Sequence, residues 1–133
     1  MNSQYDNNVF CGEEWYILIR ACEKFGFEKQ CSKAVEEHCE LITEVYKYGG
    51  KGLAINCISC NPAPSISSEV ADCLIMSGQM AVFEQRGLKI PEIINNLSDH
   101  CLGYIASYTK QYPQEVRDQL TFKLERLRKL ISE

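Results

Sequence analysis

Glu36, Glu37 and Glu40 stand in the stretch AVEEHCELITE, and Glu69 and Asp72 in SSEVADCLIM. In a helix, residues three or four apart share a face. Glu37, Glu40 and Glu44 therefore line one side of the first segment, and Glu69 and Asp72 one side of the second. Like charges at these spacings repel by about 0.2–0.5 kcal/mol per pair. Two such helices side by side bring four carboxylates to one point, the donor set preferred by hard divalent cations such as Mg²⁺ or Mn²⁺. Asp72 carries the most information. It precedes Cys73, Leu74, Ile75 and Met76 on a helix that must be buried, and an unpaired carboxylate there costs free energy or takes up a proton. Either pair by itself also fits a solvated helix face, with Asp72 capping a neighbouring helix or paired with Arg20 or Lys33. On the residues alone both readings stand.

The elements that must position these acids are helical. Trp15, Ile17, Leu18, Ala21 and Cys22 predict a short helix over Glu13 to Lys24, ending near Gly26. Cys31, Ala34, Val35, Cys39, Ile42, Val45 and Tyr46 continue at helical spacing from Glu28 to Gly49-Gly50. GGKGLAINCISCNPAPSISS then holds too many breakers for a helix and reads as a long connection. Ser65 or Ser67 is an N-cap for a third helix reaching Gly87, apolar nearly all round from Val70 to Phe83, so that other helices surround it. Pro91 opens a fourth helix running to about Tyr108. Pro113 opens a fifth, with an apolar stripe of Val116, Leu120, Leu124, Leu127 and Leu130-Ile131. The expectation is an all-α bundle of about five helices, one domain over residues 1–133.

Composition narrows the partners. A net charge of −4 offers no general attraction for nucleic acid or an anionic membrane, and no apolar run approaches the roughly 20 residues of a membrane span. MNSQYDNNVF lacks the pattern of a secretory signal, which predicts a cytoplasmic protein with reduced thiols among its eight cysteines. Cys31, Cys39, Cys73 and Cys101 fit small core positions. Cys57 and Cys60 form a CxxC without the second ligand pair a structural zinc needs.

Glu36-Glu37-x-x-Glu40 followed by Glu69-x-x-Asp72 resembles the EExxE…ExxD signature of the all-α nucleoside triphosphate pyrophosphohydrolases, which include MazG-like proteins. FGFEKQCSKAVEEHCELITEVYKY and SSEVADCLIMSGQM resemble the two motif helices, so the likeness extends from about Phe25 to Phe83. It implies a MazG-like bundle assembled as a homodimer or homotetramer, with Mg²⁺ (Mn²⁺ as an alternative) held by Glu37, Glu40, Glu69 and Asp72. It also implies cleavage of a (d)NTP between the α and β phosphates, giving the monophosphate and pyrophosphate. Glu36 matches the first acid of the motif, a position that orients a ligand or activates the attacking water. Lys33, Lys47 and Lys51 near the acids would hold the outer phosphates. Lys123 and Arg126 resemble the Lys-x-x-Arg of the family's closing helix. Surface charge is the plain alternative for each of these five. Trp15 or Tyr16 is a candidate to stack on the base, with core packing as the alternative. The helix between Gly87 and Pro113 and the length of the loop between the motifs depart from short relatives, so base and sugar preference do not carry over. The rival expectation is a relative without turnover, one that binds nucleotide or acts as a structural helical partner.

Overall fold

A computed structural model describes residues 9–48 and 64–133. They form five helices: α1 Gly12–Phe25, α2 Phe27–Tyr48, α3 Pro64–Gln85, α4 Glu92–Gln111 and α5 Pro113–Ile131. α3 packs against all four of the others, most extensively against α2 and α5. Val70, Ala71, Cys73, Leu74, Ile75, Met76, Met80, Val82 and Phe83 are all buried, as a sequence apolar nearly all round requires. At about 1.5–3 kcal/mol for each large side chain fully buried, this central helix supplies much of the bundle's driving force. No helix of the described residues is long and apolar enough to cross a membrane.

The chain turns where its chemistry allows. Gly26 has φ +87°, a conformation that favours glycine. Its N–H donates to Cys22 O at 3.0 Å and its carbonyl accepts from Gln30 N at 3.1 Å, so one residue closes α1 and opens α2. At the start of α1 the Glu14 carboxylate accepts the Cys11 N–H (3.0 Å) and pairs with Arg117 of α5. Arg117 also donates to Val9 O at 3.1 Å, fastening the beginning of the bundle to its last helix.

Several expectations are corrected. α3 begins at Pro64, so Ser65 and Ser67 lie inside its first turn and are not N-caps. Ser67 is buried and donates to Tyr108 Oη at 3.2 Å, which ties α3 to α4. Pro91 is the residue before α4, which continues to Gln111. Cys31, Cys73 and Cys101 are core residues, but Cys39 is exposed, because it falls on the acidic side of α2 beside Glu36, Glu40 and Thr43. Trp15 packs edge-on against Phe10, with ring centres 5.4 Å apart. Tyr16 is exposed under the Arg20 guanidinium, away from the acids. Lys51, Cys57 and Cys60 lie outside the described residues.

Gly78 marks the closest approach in the core. A Cβ there would meet Leu18 Cδ1 at 2.7 Å and Phe10 Cε2 at 3.1 Å. Leu18 is fully buried in the core. Mid-helix Gly→Ala normally gains about 1 kcal/mol, but overpacking a filled core costs about 1–3 kcal/mol. Gly78→Ala is therefore expected to lower the urea midpoint with an unchanged m-value; a raised midpoint would mean the contact relaxes.

Candidate functional site

α2 and α3 lie antiparallel. The Cys73 thiol of α3 donates to Glu37 O of α2 at 3.4 Å, and farther along Gln30 Nε2 donates to Gln79 Oε1 at 2.7 Å. This register sets the two acidic stretches against each other. Oxygens of Glu37, Glu69 and Asp72 come within 4.8 Å of one another, as do those of Glu36, Glu37 and Glu40. Glu37 belongs to both triads. All five carboxylates singled out in the sequence thus converge, and the buried Glu37 is the member they share.

Each acid has a distinct environment. Glu37 is 7% exposed. Burial, then the charge of Asp72 and a hydrogen bond with Glu40, push its carboxyl up to about 7, against the pull of Lys33. Glu69 is pushed up to about 8, first by burial, then by its hydrogen bond with Asp72 and the charges of Glu40, Asp72 and Glu37. Asp72 is compensated by neither Arg20 nor Lys33. Lys123 of α5 holds it, with Nζ 3.0 Å from Oδ1. Lys33 instead spans Glu36 at 3.2 Å and Glu37 at 3.4 Å. An ammonium seated on one carboxylate, beside others pushed toward their neutral form, marks a place where positive charge is in demand. This donor set fits a hard divalent cation.

The acids form a wall between two depressions. Glu36, Glu40 and Glu69 face a shallow groove with Thr43 and Glu44, where Glu44 Oε2 is buried without a hydrogen-bond partner among the described residues. Glu37 and Asp72 face a larger cleft of about 550 Å³ between α2, α3 and α5. Lys29, Lys33, Lys123 and Arg126 line this cleft, and Phe25, Ile75, Met76 and Leu127 supply its apolar surface. α5 contributes through Lys123, Arg126, Leu127 and Leu130, spaced i, i+3, i+4, i+7 along one face.

Three of the predicted phosphate-binding residues, Lys33, Lys123 and Arg126, therefore reach the cleft with the acids. Lys47 does not line it; it sits ten residues beyond Glu37, about 15 Å along α2, toward the opposite end. Lys29, Gln30 and Gln79 belong to the cleft although the sequence reading passed over them. A signal existed: Gln30 precedes Glu37 by seven residues and Gln79 follows Asp72 by seven, each on the face of its acid. His38, next to the acids in sequence, faces the other way. It is fully buried, with Nδ1 2.7 Å from Ala34 O and Nε2 3.3 Å from Ser98 Oγ on α4.

Fold and site together define a class: an all-α bundle in which two antiparallel helices converge five carboxylates beside a cleft rimmed by basic side chains. Compared with protein-family models, curated proteins and solved structures, the chain has no match. Its function is read from the residues themselves.

Proposed function

We propose that the protein is a divalent-metal-dependent nucleoside triphosphate pyrophosphohydrolase, cleaving (d)NTP between the α and β phosphates to a monophosphate and pyrophosphate. One observation carries the reading: Glu37 and Asp72, two members of the Glu37–Glu69–Asp72 triad, line a cleft that Lys29, Lys33, Lys123 and Arg126 also line. Acids alone would repel a triphosphate. Cations alone would bind one without a centre for cleaving it. Their adjacency suits a polyanion that enters with metal.

Glu37, Glu40, Glu69 and Asp72 are the residues that would hold Mg²⁺ or Mn²⁺. The chemistry such an ion supplies is charge neutralisation and polarisation at the phosphate oxygens. The remaining work falls to the chain. Lys123, Lys33 and Arg126 bind the outer phosphates and orient the leaving group, a positioning role of the kind that dominates phosphoryl chemistry. Lys123 leaves Asp72 to do so. Glu36, exposed and adjacent to the shared Glu37, orients the attacking water and accepts its proton. Water attacks the α-phosphorus, the bond to the bridging α–β oxygen breaks, and pyrophosphate leaves with the electron pair.

Assembly into a homodimer or homotetramer, as the resemblance implies, is part of this proposal. The function is tested by assaying pyrophosphate release from canonical and modified NTPs and dNTPs, with Mg²⁺ and with chelator. Equimolar monophosphate and pyrophosphate, abolished by chelation, is the expected result. No release from any triphosphate by folded, Mg²⁺-loaded protein would overturn it in favour of a relative without turnover.

A further inference from the structure

Two turns from the acids, the cleft changes character. Gln30 and Gln79 lie about 10 Å along α2 and α3 from Glu37 and Asp72, comparable to the reach of a nucleotide from its phosphate to the far edge of its base. Gln79 is 1% exposed and Gln30 6%, yet both line the cleft. Their mutual bond, Gln30 Nε2 to Gln79 Oε1 at 2.7 Å, occupies half of each amide. Cys22 Sγ of α1 holds Gln79 from behind, donating to its backbone carbonyl at 3.5 Å. Gln30 Oε1 and Gln79 Nε2 make no hydrogen bond among the described residues. Neither is sealed from solvent as Ser77 Oγ is, and both residues line the cleft.

Buried amide groups without partners are costly, and a bundle this apolar could have filled both positions with leucine. What the pair presents is one acceptor beside one donor, fixed by burial and by each other. Phe25 and Met76 supply flat and adaptable apolar surface around it. A neutral nucleobase has the complementary properties: a flat apolar face and an edge with a donor next to an acceptor, the pattern that amide side chains read in adenine.

We propose that Gln30 and Gln79 are the base-reading end of the cleft and select the triphosphate by the hydrogen-bonding edge of its base. The phosphate half of this inference rests on the hydrolase reading; the base half rests on the amide geometry. The amides are positioning and specificity residues, and they take no part in bond cleavage.

Two measurements separate the halves. The first is equilibrium binding of adenosine, guanosine, cytidine and uridine without metal, together with purine riboside and N3-methyluridine, in which the donor of the edge is missing or blocked. The second is kcat/KM for pyrophosphate release across the NTPs. The variant is the double substitution Gln30→Leu/Gln79→Leu. Replacing both partners by apolar side chains of similar size is nearly neutral for folding, whereas removing one leaves the other orphaned; the helical circular dichroism signal checks this. The wild type is expected to prefer one base edge by about tenfold to a hundredfold and to discriminate against its blocked analogue similarly. In the double variant both ratios fall to near one. Pyrophosphate release with the base preference intact in the variant would overturn the base-reading role while leaving the hydrolase standing. Base-selective nucleoside binding lost in the variant, with no hydrolysis of any NTP, would uphold the amide pair and reject the hydrolase. A wild type that shows no base preference in either measurement would overturn the inference.

Discussion

Glu69→Gln is expected to melt higher than the wild type at pH 8 in metal-free buffer and to release pyrophosphate about a thousandfold more slowly. The rate loss corresponds to about 4 kcal/mol of transition-state stabilisation, the consequence of removing one carboxylate from a triad that must hold divalent metal. The stability gain has a separate origin. Burial and the surrounding acids push the Glu69 carboxyl up to about 8, so at pH 8 the folded protein carries a charge its environment opposes. Glutamine has the same shape and no charge, and relieves about 1–2 kcal/mol, roughly 5 °C for a domain of this size. Asp72→Asn should behave differently. It too should lose turnover, but Lys123, whose side chain is only 15% exposed, would lose the carboxylate it pairs with at 3.0 Å. Stranding a partly desolvated ammonium costs about 1–2 kcal/mol, below the 3–5 kcal/mol of a fully buried pair, so this variant melts lower. Pyrophosphate assays and thermal melts on the two proteins check both. Full activity in Glu69→Gln would remove that carboxylate from the centre, and a raised melting temperature in Asp72→Asn would mean Lys123 is not its compensating charge.

The contrast between those variants shows what the sequence could and could not reveal. Helical periodicity placed all five helices, because an apolar repeat of 3.6 is imposed by the geometry of burial and survives in any register. It also put Glu37 with Glu40, and Glu69 with Asp72, on shared faces, since residues three apart are neighbours whatever the tertiary context. That Asp72 must be compensated followed from its apolar neighbours. Which cation compensates it did not follow: Lys123 is 51 residues away, and only the packing of α5 on α3 brings it there. The same limit applies to Gln30 and Gln79, two ordinary polar residues until the antiparallel register of α2 and α3 closes a bond between them. Cap assignments failed for a local reason. Ser65 and Ser67 are good N-cap residues, but Pro64 fits the first helical turn as well, and the helix starts there. Cys39 was misplaced because a cysteine satisfies a core pattern and an exposed position equally; the flanking acids decide its face.

The carboxylate centre also makes stability depend on pH in a direction that a solvated acidic face cannot produce. Folding raises Glu37 to about 7 and Glu69 to about 8, from an ordinary 4.5. A raised carboxyl binds its proton more tightly in the native state than in the unfolded chain. The stabilisation is complete below about 4.5 and is lost as pH rises through the folded values, so metal-free protein weakens between pH 5 and 8. The two acids share their shifts, and the loss is on the order of 3 kcal/mol, about 10 °C in melting temperature. His38 pulls the other way: burial holds its pKa below the usual 6.5, which favours the fold as pH rises. Its contribution is common to wild type and Glu69→Gln, so the readout is the difference between their melting curves. That difference should grow from pH 5 to 8 in chelator. Mg²⁺ competes with protons for the same oxygens, so its stabilising effect should be near zero at pH 5 and large at pH 8, about 2.7 kcal/mol at a hundred times the dissociation constant. Exposed carboxylates, which titrate near 4.5, would show neither trend. A Mg²⁺ shift equal at both pH values would place the bound ion somewhere other than on Glu37 and Glu69.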